Sequence, residues 1–300
     1  MQAARFSRFG GPEVLEIVEL PDPHPGPGQV RIAVRAAGVN ASDWKKRRGL
    51  MDEELPQTLG YEAAGVVDEL GAGVRDVALG DRVFGFAADG SAQAELGVLS
   101  HYAPIPPSLD FAGAAALPAA IETAMRALDQ LGLVAGGTLL VNGASGSVGS
   151  AAVQFAVARG VRVIGTAGPA NHEVVRSLGA EPVAYGEGMA ARVRELAPAG
   201  VDLALDVAGS GVLPELIELA GGKGHVVTIA DVAGAQEHGV RFSRGDSGRA
   251  THVLGEIGEL IESGRFVLPV AQTFPLADVA QAHRVGEAGG VRGKLVLVID

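Results

Sequence analysis

Two hydrophobic periods divide the chain. Up to about residue 107, apolar positions alternate with polar ones or gather in short runs at 14–20, 29–39, 62–70, 82–86 and 93–98, separated by turn-forming clusters such as PDPHPGPG and GAGV. This is a β pattern, opening on a hairpin and interrupted by one short helix at 42–48 with Ser42 or Asp43 as its cap. From Phe111 the period lengthens into alanine-rich helix, clearest at 118–131. Apolar strands at 138–142, 161–166, 182–185, 202–207 and 224–230 then alternate with helices at 147–159, 170–178, 188–196, 212–220 and 250–263. Such alternation predicts an α/β fold with a parallel sheet covered by helices on both faces. A last helix (276–287) and an apolar strand (294–299) follow a sheet that is already complete, so the chain end is expected to rejoin the first domain. The boundaries read as 1–115 with 265–300 for one domain and 116–264 for the other.

The most informative stretch is LLVNGASGSVG at 139–149, with the helix to 159 and the strand VRVIGT after it. A strand, a glycine turn, a helix and a second strand within about 30 residues form the context in which a glycine turn becomes a dinucleotide site. Ala144, Gly146 and Gly149 stand at the three fingerprint positions, and Ser145, Ser147 and Val148 complete the turn and the first helical positions. Gly146 lets backbone approach a pyrophosphate, Gly149 lets the helix pack closely, and the helix N-terminus offers unpaired N–H groups to the phosphates. An NAD site places an acid about 20 residues past the turn to bond the ribose hydroxyls. Gly165 and Thr166 stand there instead, and a neutral hydroxyl tolerates a 2′-phosphate, so NADP(H) is the expected cofactor.

Composition narrows the remaining classes. The 300 residues suit two domains, and the 47% of hydrophobic residues is ample for their cores. A net charge of −11 argues against nucleic acid or an acidic membrane as partner. Residues 131–158 carry no charge until Arg159, yet Gly136, Gly137, Asn142, Gly143, Ser145, Gly146 and Gln154 break the run too often for a membrane span. The N-terminus lacks the apolar core of a signal peptide. With no cysteine, disulfides, thiolate metal sites and cysteine nucleophiles are excluded together, which is compatible with a reducing cytoplasm. The seven histidines are scattered, none at an i, i+4 ligand spacing.

PGPGQVRIAVRAAGVNASDWKKRRG (25–49), LGYEAAGVV (59–67), GAGVRDVALGDRVFG (71–85), LPAAIETAMRAL (117–128), the GASGSVG turn and RGKLVLVID at the end lie in an order that resembles the medium-chain dehydrogenase/reductase superfamily. The likeness is to its zinc-free quinone oxidoreductase branch, the zeta-crystallin-like proteins. It implies a GroES-like β domain built from both chain ends around an inserted Rossmann domain. Zinc-dependent relatives have a cysteine ligand where Asn40 stands and a histidine ligand where Tyr61 stands, so no metal is expected.

What the resemblance implies for chemistry follows from that loss. Without zinc to polarise a ketone, hydride transfer to a quinone or a conjugated enone remains feasible, given donors for the developing oxyanion. Relatives carry an asparagine at Asn40 beside the nicotinamide, where it either donates to that oxyanion or bridges backbone at the turn. Ser42 matches a proton-relay hydroxyl or serves as a helix cap, and Tyr61 either donates its phenol or packs in the vacated ligand position. Asp43 reads as structural and Lys45–Arg48 as a solvated face, from which one side chain could turn inward toward an anionic substrate. Met51 replaces a cleft tyrosine of the relatives, which favours a larger, more apolar acceptor; the specificity loops are expected at 44–58, 86–95 and 232–250. For NADP(H), the resemblance implies Thr123 at the nicotinamide, Ile229 and Ala230 at its carboxamide, and Tyr185 at the 2′-phosphate. Asn171 replaces the relatives' phosphate-binding lysine, with His172 as a compensating group. Relatives pair as homodimers, and residues 224–229 offer an apolar sheet edge. An enoyl-thioester reductase, a natural-product tailoring reductase and an NADPH-binding protein without turnover are the competing readings.

Overall fold

The structure, a computed structural model, describes residues 1–245 and 248–300, so part of the expected loop at 232–250 lies outside the described residues. In chain order the regular elements begin with β1 (Gln2–Phe6), β2 (Glu16–Glu19), β3 (Val30–Val39), α1 (Ala41–Arg47), β4 (Gln57–Thr58), β5 (Glu62–Leu70), β6 (Arg82–Ala87), β7 (Leu96–Pro104), α2 (Phe111–Ala115) and α3 (Pro118–Leu131). There follow β8 (Thr138–Asn142), α4 (Ser147–Ala158), β9 (Arg162–Ala167), α5 (His172–Ser177), β10 (Glu181–Ala184), α6 (Met189–Leu196), β11 (Leu203–Asp206), α7 (Leu213–Leu219), β12 (Val226–Thr228) and α8 (Val232–His238). The chain closes with β13 (Arg241–Phe242), α9 (Val253–Glu262), β14 (Val270–Pro275), α10 (Val279–Ala288) and β15 (Lys294–Val298). They form two compact units, one from residues 1–119 and 254–300 and the other from 120–253.

In the first unit a six-stranded sheet runs β14-β15-β3-β5-β6-β7, and β7 pairs back onto β3. β3 is the spine. Val30, Ile32 and Val34 alternate inward, whereas Ala36 to Val39 are buried on both faces. The small alanines and Gly38 there suit a strand enclosed on two sides. β15, from the end of the chain, lies antiparallel to β3 with Leu295 opposite Val39. A smaller sheet, β2-β1-β4, stands beside it.

Helix α1 starts one residue earlier than the sequence pattern indicates. Its cap is Asn40, in a capping box with Asp43, rather than Ser42 or Asp43. Asp43 accepts from the Asn40 backbone N–H at 2.8 Å, satisfying a donor that the helix leaves unpaired. The run Lys45–Arg48 is not uniformly solvated either. Arg47 is fully buried, donating to the Gly10 carbonyl at 3.1 Å and to His283 Nδ1 at 3.2 Å, and pairing with Glu287 of α10 at 2.5 Å. Its inward turn serves helix packing.

The second unit holds a wholly parallel sheet in the order β10-β9-β8-β11-β12-β13, the doubly wound sequence 3-2-1-4-5-6. Leu140, Ile164, Ala204 and Val226 pack from its strands against Met189, Val193, Leu213 and Leu216 from α6 and α7. β13 adds a sixth strand that the two-residue pattern Arg241–Phe242 was too short to announce. Residues 224–229 are therefore not the sheet's outer edge, because Val227 pairs with Arg241. Two strands in the first unit also shift. The run expected at 93–98 becomes β7 at Leu96–Pro104, and the one at 14–20 shortens to β2 because Pro12 opens a 3₁₀ turn through Val14.

Replacing Arg47 by Ala should cost about 3–5 kcal/mol in chemical denaturation, since it removes a fully buried guanidinium that ties the Gly10 carbonyl, His283 and Glu287 together. A loss under about 1 kcal/mol would show that the α1–α10 contact rests on packing instead.

Candidate functional site

In the first unit a polar cluster sits where β3, β5 and β15 meet. Extending the β15–β3 ladder by one pair sets Lys294 opposite Asn40, and the β3–β5 ladder sets Glu62 opposite Gly38. Because side chains alternate faces, Gly38, Asn40, Glu62 and Lys294 share one face. Lys294 and Glu62 are buried and paired, Nζ to Oε1, at 2.6 Å. Lys294 also donates to Asn40 Oδ1 at 2.5 Å, and Asn40 Nδ2 donates to Glu62 Oε1 at 2.8 Å. Glu62 Oε2 accepts from the Ala119 N–H at 2.6 Å. A Cβ on Gly38 would lie 2.2 Å from Glu62 Oε1, so only glycine admits that carboxylate. Sequence reasoning singled out Asn40 and missed both of its partners. The legible signal was an acid and a lysine, each directly before a run of small or apolar residues, AAGVV after Glu62 and LVLV after Lys294.

Tyr61, directly before Glu62, is half-buried and carries Lys46 Nζ over its ring at 5.5 Å from the centroid. Ser42, the third candidate, lies half-buried in the first turn of α1. A zinc ion fits this donor set poorly. Neither thiolate nor imidazole is present, and the Lys294 ammonium already bonds Asn40. Among the described residues no group of three or more His, Cys, Asp or Glu is placed to hold a metal ion.

In the second unit β8, β11 and β12 end on Asn142, Asp206 and Thr228, and Thr166 is the penultimate residue of β9; all four are buried. Asp206 Oδ1 accepts from Asn142 Nδ2 at 2.8 Å and from the Ala208 and Gly209 N–H groups at 3.1 and 2.8 Å. Its Oδ2 accepts from the Thr228 hydroxyl at 2.7 Å. Thr166 donates to Asn142 Oδ1 at 2.7 Å and accepts from the Gly143 N–H at 3.0 Å. This corrects the expectation for Thr166. Its hydroxyl is consumed in holding the glycine turn and is 1% exposed, so it is not presented to a phosphate.

The turn itself leaves β8 at Gly143, whose φ of +89° favours glycine. Ala144 is fully buried and faces Gly165, so its side chain is turned away from any ligand. A Cβ on Gly149 would lie 2.1 Å from the Gly143 carbonyl, which explains the close seating of α4. At Gly146, by contrast, a Cβ would meet nothing nearer than 3.7 Å, and the residue is exposed. The protein leaves that surface open, with half-buried Ser145, Ser147 and Val148 around it. Beside it Asn171 Nδ2 reaches Ser145 Oγ at 3.4 Å. His172 Nε2 lies 3.2 Å from the Ala167 carbonyl, so the ring is directed at its own strand end. Exposed Tyr185 lies against Gly168. The structure thus brings Ser145, Asn171, His172 and Tyr185 around the end of β9. Ile229 and Ala230 follow β12, and the Ala230 N–H donates to Thr228 Oγ1 at 3.1 Å. Thr123 stands on α3, accepting at 3.4 Å from Arg126, whose guanidinium is buried with Glu122 at 2.8 Å.

Residues 26–116 match the alcohol dehydrogenase GroES-like domain family, and residues 178–297 match the zinc-binding dehydrogenase family. The fold and these matches define a medium-chain dehydrogenase/reductase with a GroES-like domain and a Rossmann domain. The quinone oxidoreductase structure from Coxiella burnetii superposes with a TM-score of 0.87 at 31% identity, covering 100% of this chain and 99% of that one. The chloroplastic NADPH-dependent alkenal/one oxidoreductase of Arabidopsis thaliana is 33% identical over 99% of this chain and 79% of its own length. NorB of the Streptomyces orinoci spectinabilin polyketide synthase system is 36% identical over 98% of this chain, which spans 14% of that protein. The chain belongs to the quinone oxidoreductase-like branch of the superfamily and is an oxidoreductase.

Two buried titratable groups, Asp43 on α1 and His283 on α10, show opposite tendencies. Burial pushes the Asp43 carboxyl up to about 7, aided by Glu62 and opposed by the Asn40 N–H, Lys294 and Lys46. Burial, aided by Arg47, pushes His283 down to about 3. A carboxyl raised in the folded state contributes stability below its unfolded value near 4 that is lost as pH rises to about 7. A depressed histidine contributes stability above 6.5 that is lost as pH falls toward 3. Asp43→Asn removes the first effect alone. Its stability relative to wild type should therefore rise by about 2–4 kcal/mol between pH 4 and 8, measured by denaturation across that range. A pH-independent difference would show that Asp43 is ionised throughout.

Proposed function

We propose that this protein transfers hydride from NADPH to a quinone or a conjugated enone without zinc. The unit built from both chain ends carries the acceptor chemistry, and residues 120–253 hold the cofactor. The observation that carries the reading is the Asn40 amide, half-buried and bound to a buried ammonium where zinc-dependent relatives hold a metal ligand. A metal-free donor suits acceptors that already delocalise negative charge onto oxygen.

When bound, the reduced nicotinamide supplies the hydride. The N–H groups at the start of α4, open at Gly146, are suited to the pyrophosphate, and Ser145, Asn171, His172 and Tyr185 to the 2′-phosphate. No acid ends β9, whose last residues are Thr166 and Ala167, so nothing there repels that phosphate. Asn40, with Tyr61 as a second donor, stabilises the oxygen that gains charge, and solvent returns the proton. Homodimerisation belongs to this reading through resemblance, and a cytoplasmic setting through the absence of cysteine. The likeness to a polyketide synthase protein over nearly the whole chain favours, as a second reading, reduction of an enoyl thioester.

NADPH oxidation should be followed in parallel with a polycyclic ortho-quinone, a medium-chain 2-alkenal and an enoyl thioester, with NADH as control. Turnover with the quinone or alkenal, lowered about 100-fold in Asn40→Ala with NADPH binding intact, is the expected result. Turnover confined to the thioester would move the function to the second reading, and NADPH binding without any turnover would leave a binding protein. For the cofactor, Asn171→Lys restores a cation beside Ser145 and should lower the KM for NADPH about tenfold, leaving NADH unchanged. Equal changes for both cofactors would place the 2′-phosphate elsewhere.

A further inference from the structure

Glu62 and Lys294 are buried, charged and remote in sequence, and the reading above gives neither a role in the chemistry. Burying such a pair is expensive, and an apolar pair of similar volume would serve a strand junction as well or better. Their geometry is selective toward one group. Lys294 has only protons to offer, and it points one at Asn40 Oδ1; ionised Glu62 has only lone pairs, and Oε1 receives Asn40 Nδ2. Turning the amide over would set its NH₂ against the ammonium and its carbonyl against the carboxylate. The two charges therefore define which edge of Asn40 is which. The Asn40 backbone is fixed as well, through its N–H to Asp43 at 2.8 Å. Of the two Nδ2 protons one is held by Glu62, and among the described residues the other has no partner on the half-buried amide.

We propose that Lys294 and Glu62 are positioning residues that lock the Asn40 amide in one orientation, with its second Nδ2 proton directed outward as the donor to the acceptor oxygen. The inference rests on the donor role given to Asn40 above and deepens it. Gly38 is part of the device, since its missing Cβ gives the Glu62 carboxylate its place beside Asn40. Preorganisation is the physical gain. A donor already aligned needs no rotation as charge develops, whereas an amide free to turn presents its carbonyl to the oxyanion in part of the population.

The test is a double-mutant cycle on kcat with Asn40→Ala and Lys294→Met, using whichever acceptor the wild type reduces. Lys294→Met should lower kcat 10- to 100-fold while leaving NADPH affinity within about twofold. In the Asn40→Ala background the same change should lower kcat by less than twofold, because its target is gone. A full additional loss there would show that Lys294 does not act through Asn40 and would overturn the inference alone. Wild-type kcat in Asn40→Ala would overturn the donor reading, and the inference with it. Should Lys294→Met fold poorly, Glu62→Gln/Lys294→Met leaves no unpaired buried charge and enters the same cycle, with wild-type kcat overturning the proposal. A readout independent of turnover is the Asn40 side-chain amide in ¹⁵N NMR, assigned by its absence in Asn40→Ala. Two inequivalent, slowly rotating Nδ2 protons are expected in wild type, with faster rotation in Lys294→Met. Equal rotation rates in the two proteins would overturn the lock.

Discussion

The buried pair of Lys294 and Glu62 is the constraint on which the first unit depends. Neither charge tolerates burial alone, so β15 must reach β3 and β5 in the register that brings ammonium and carboxylate to 2.6 Å. A slip of one residue would turn Lys294 to the opposite face of the sheet and leave Glu62 unpaired. The last strand of the chain is thereby fixed beside strands laid down some 230 to 260 residues earlier, a count that follows from Lys294 against Val39 and Glu62. Gly38 completes the arrangement, which places packing, register and the one aligned amide under a single electrostatic requirement.

The second unit solves a similar problem with a single carboxylate. Parallel strands end in a row of turns, and each turn has backbone N–H groups to satisfy. Asp206 gathers two of them, at Ala208 and Gly209, together with Asn142 and Thr228. Through Asn142 and Thr166 the same network reaches the N–H of Gly143, where the chain departs for α4. The glycine turn owes its shape to side chains from neighbouring strands as much as to its own glycines. Its rigidity leaves Gly146 as the place where backbone is open to a ligand.

Much of this was legible because period and turn chemistry are local. The five middle strands, the helices between them and the glycine turn follow from apolar runs broken by glycine, and their alternation implies a parallel sheet covered by helices. What escaped depended on partners distant in sequence. Thr166 read as a ligand contact because only the structure shows Asn142 and Gly143 claiming its hydroxyl. Arg47 read as solvated because Glu287 and His283, more than 230 residues away, are what draw it inward. The edge at 224–229 failed because Arg241–Phe242 is too short for any period to be counted. Yet the polar endings LLVN, LALD and VVT were visible in the sequence, and polar residues closing three central strands of the parallel sheet mark the network that shapes the turns there.

The ammonium at the heart of the first unit also bears on metal chemistry. A divalent ion bound by Asn40 and Tyr61 would stand beside Lys294 in a buried setting, where like charges a few ångströms apart repel strongly. The fixed cation beside Asn40 therefore opposes a metal ion at this place independently of which ligand types stand there. That cation differs from zinc in what it can polarise. Lys294 is 4% exposed and already committed to Glu62 and Asn40, so on the proposed mechanism its charge would reach an acceptor only through the amide it holds. Polarisation relayed through one N–H is weaker than direct coordination and more directional. On that proposal the site would discriminate by where the acceptor places its oxygen, and it would suit substrates whose own conjugation carries most of the developing charge.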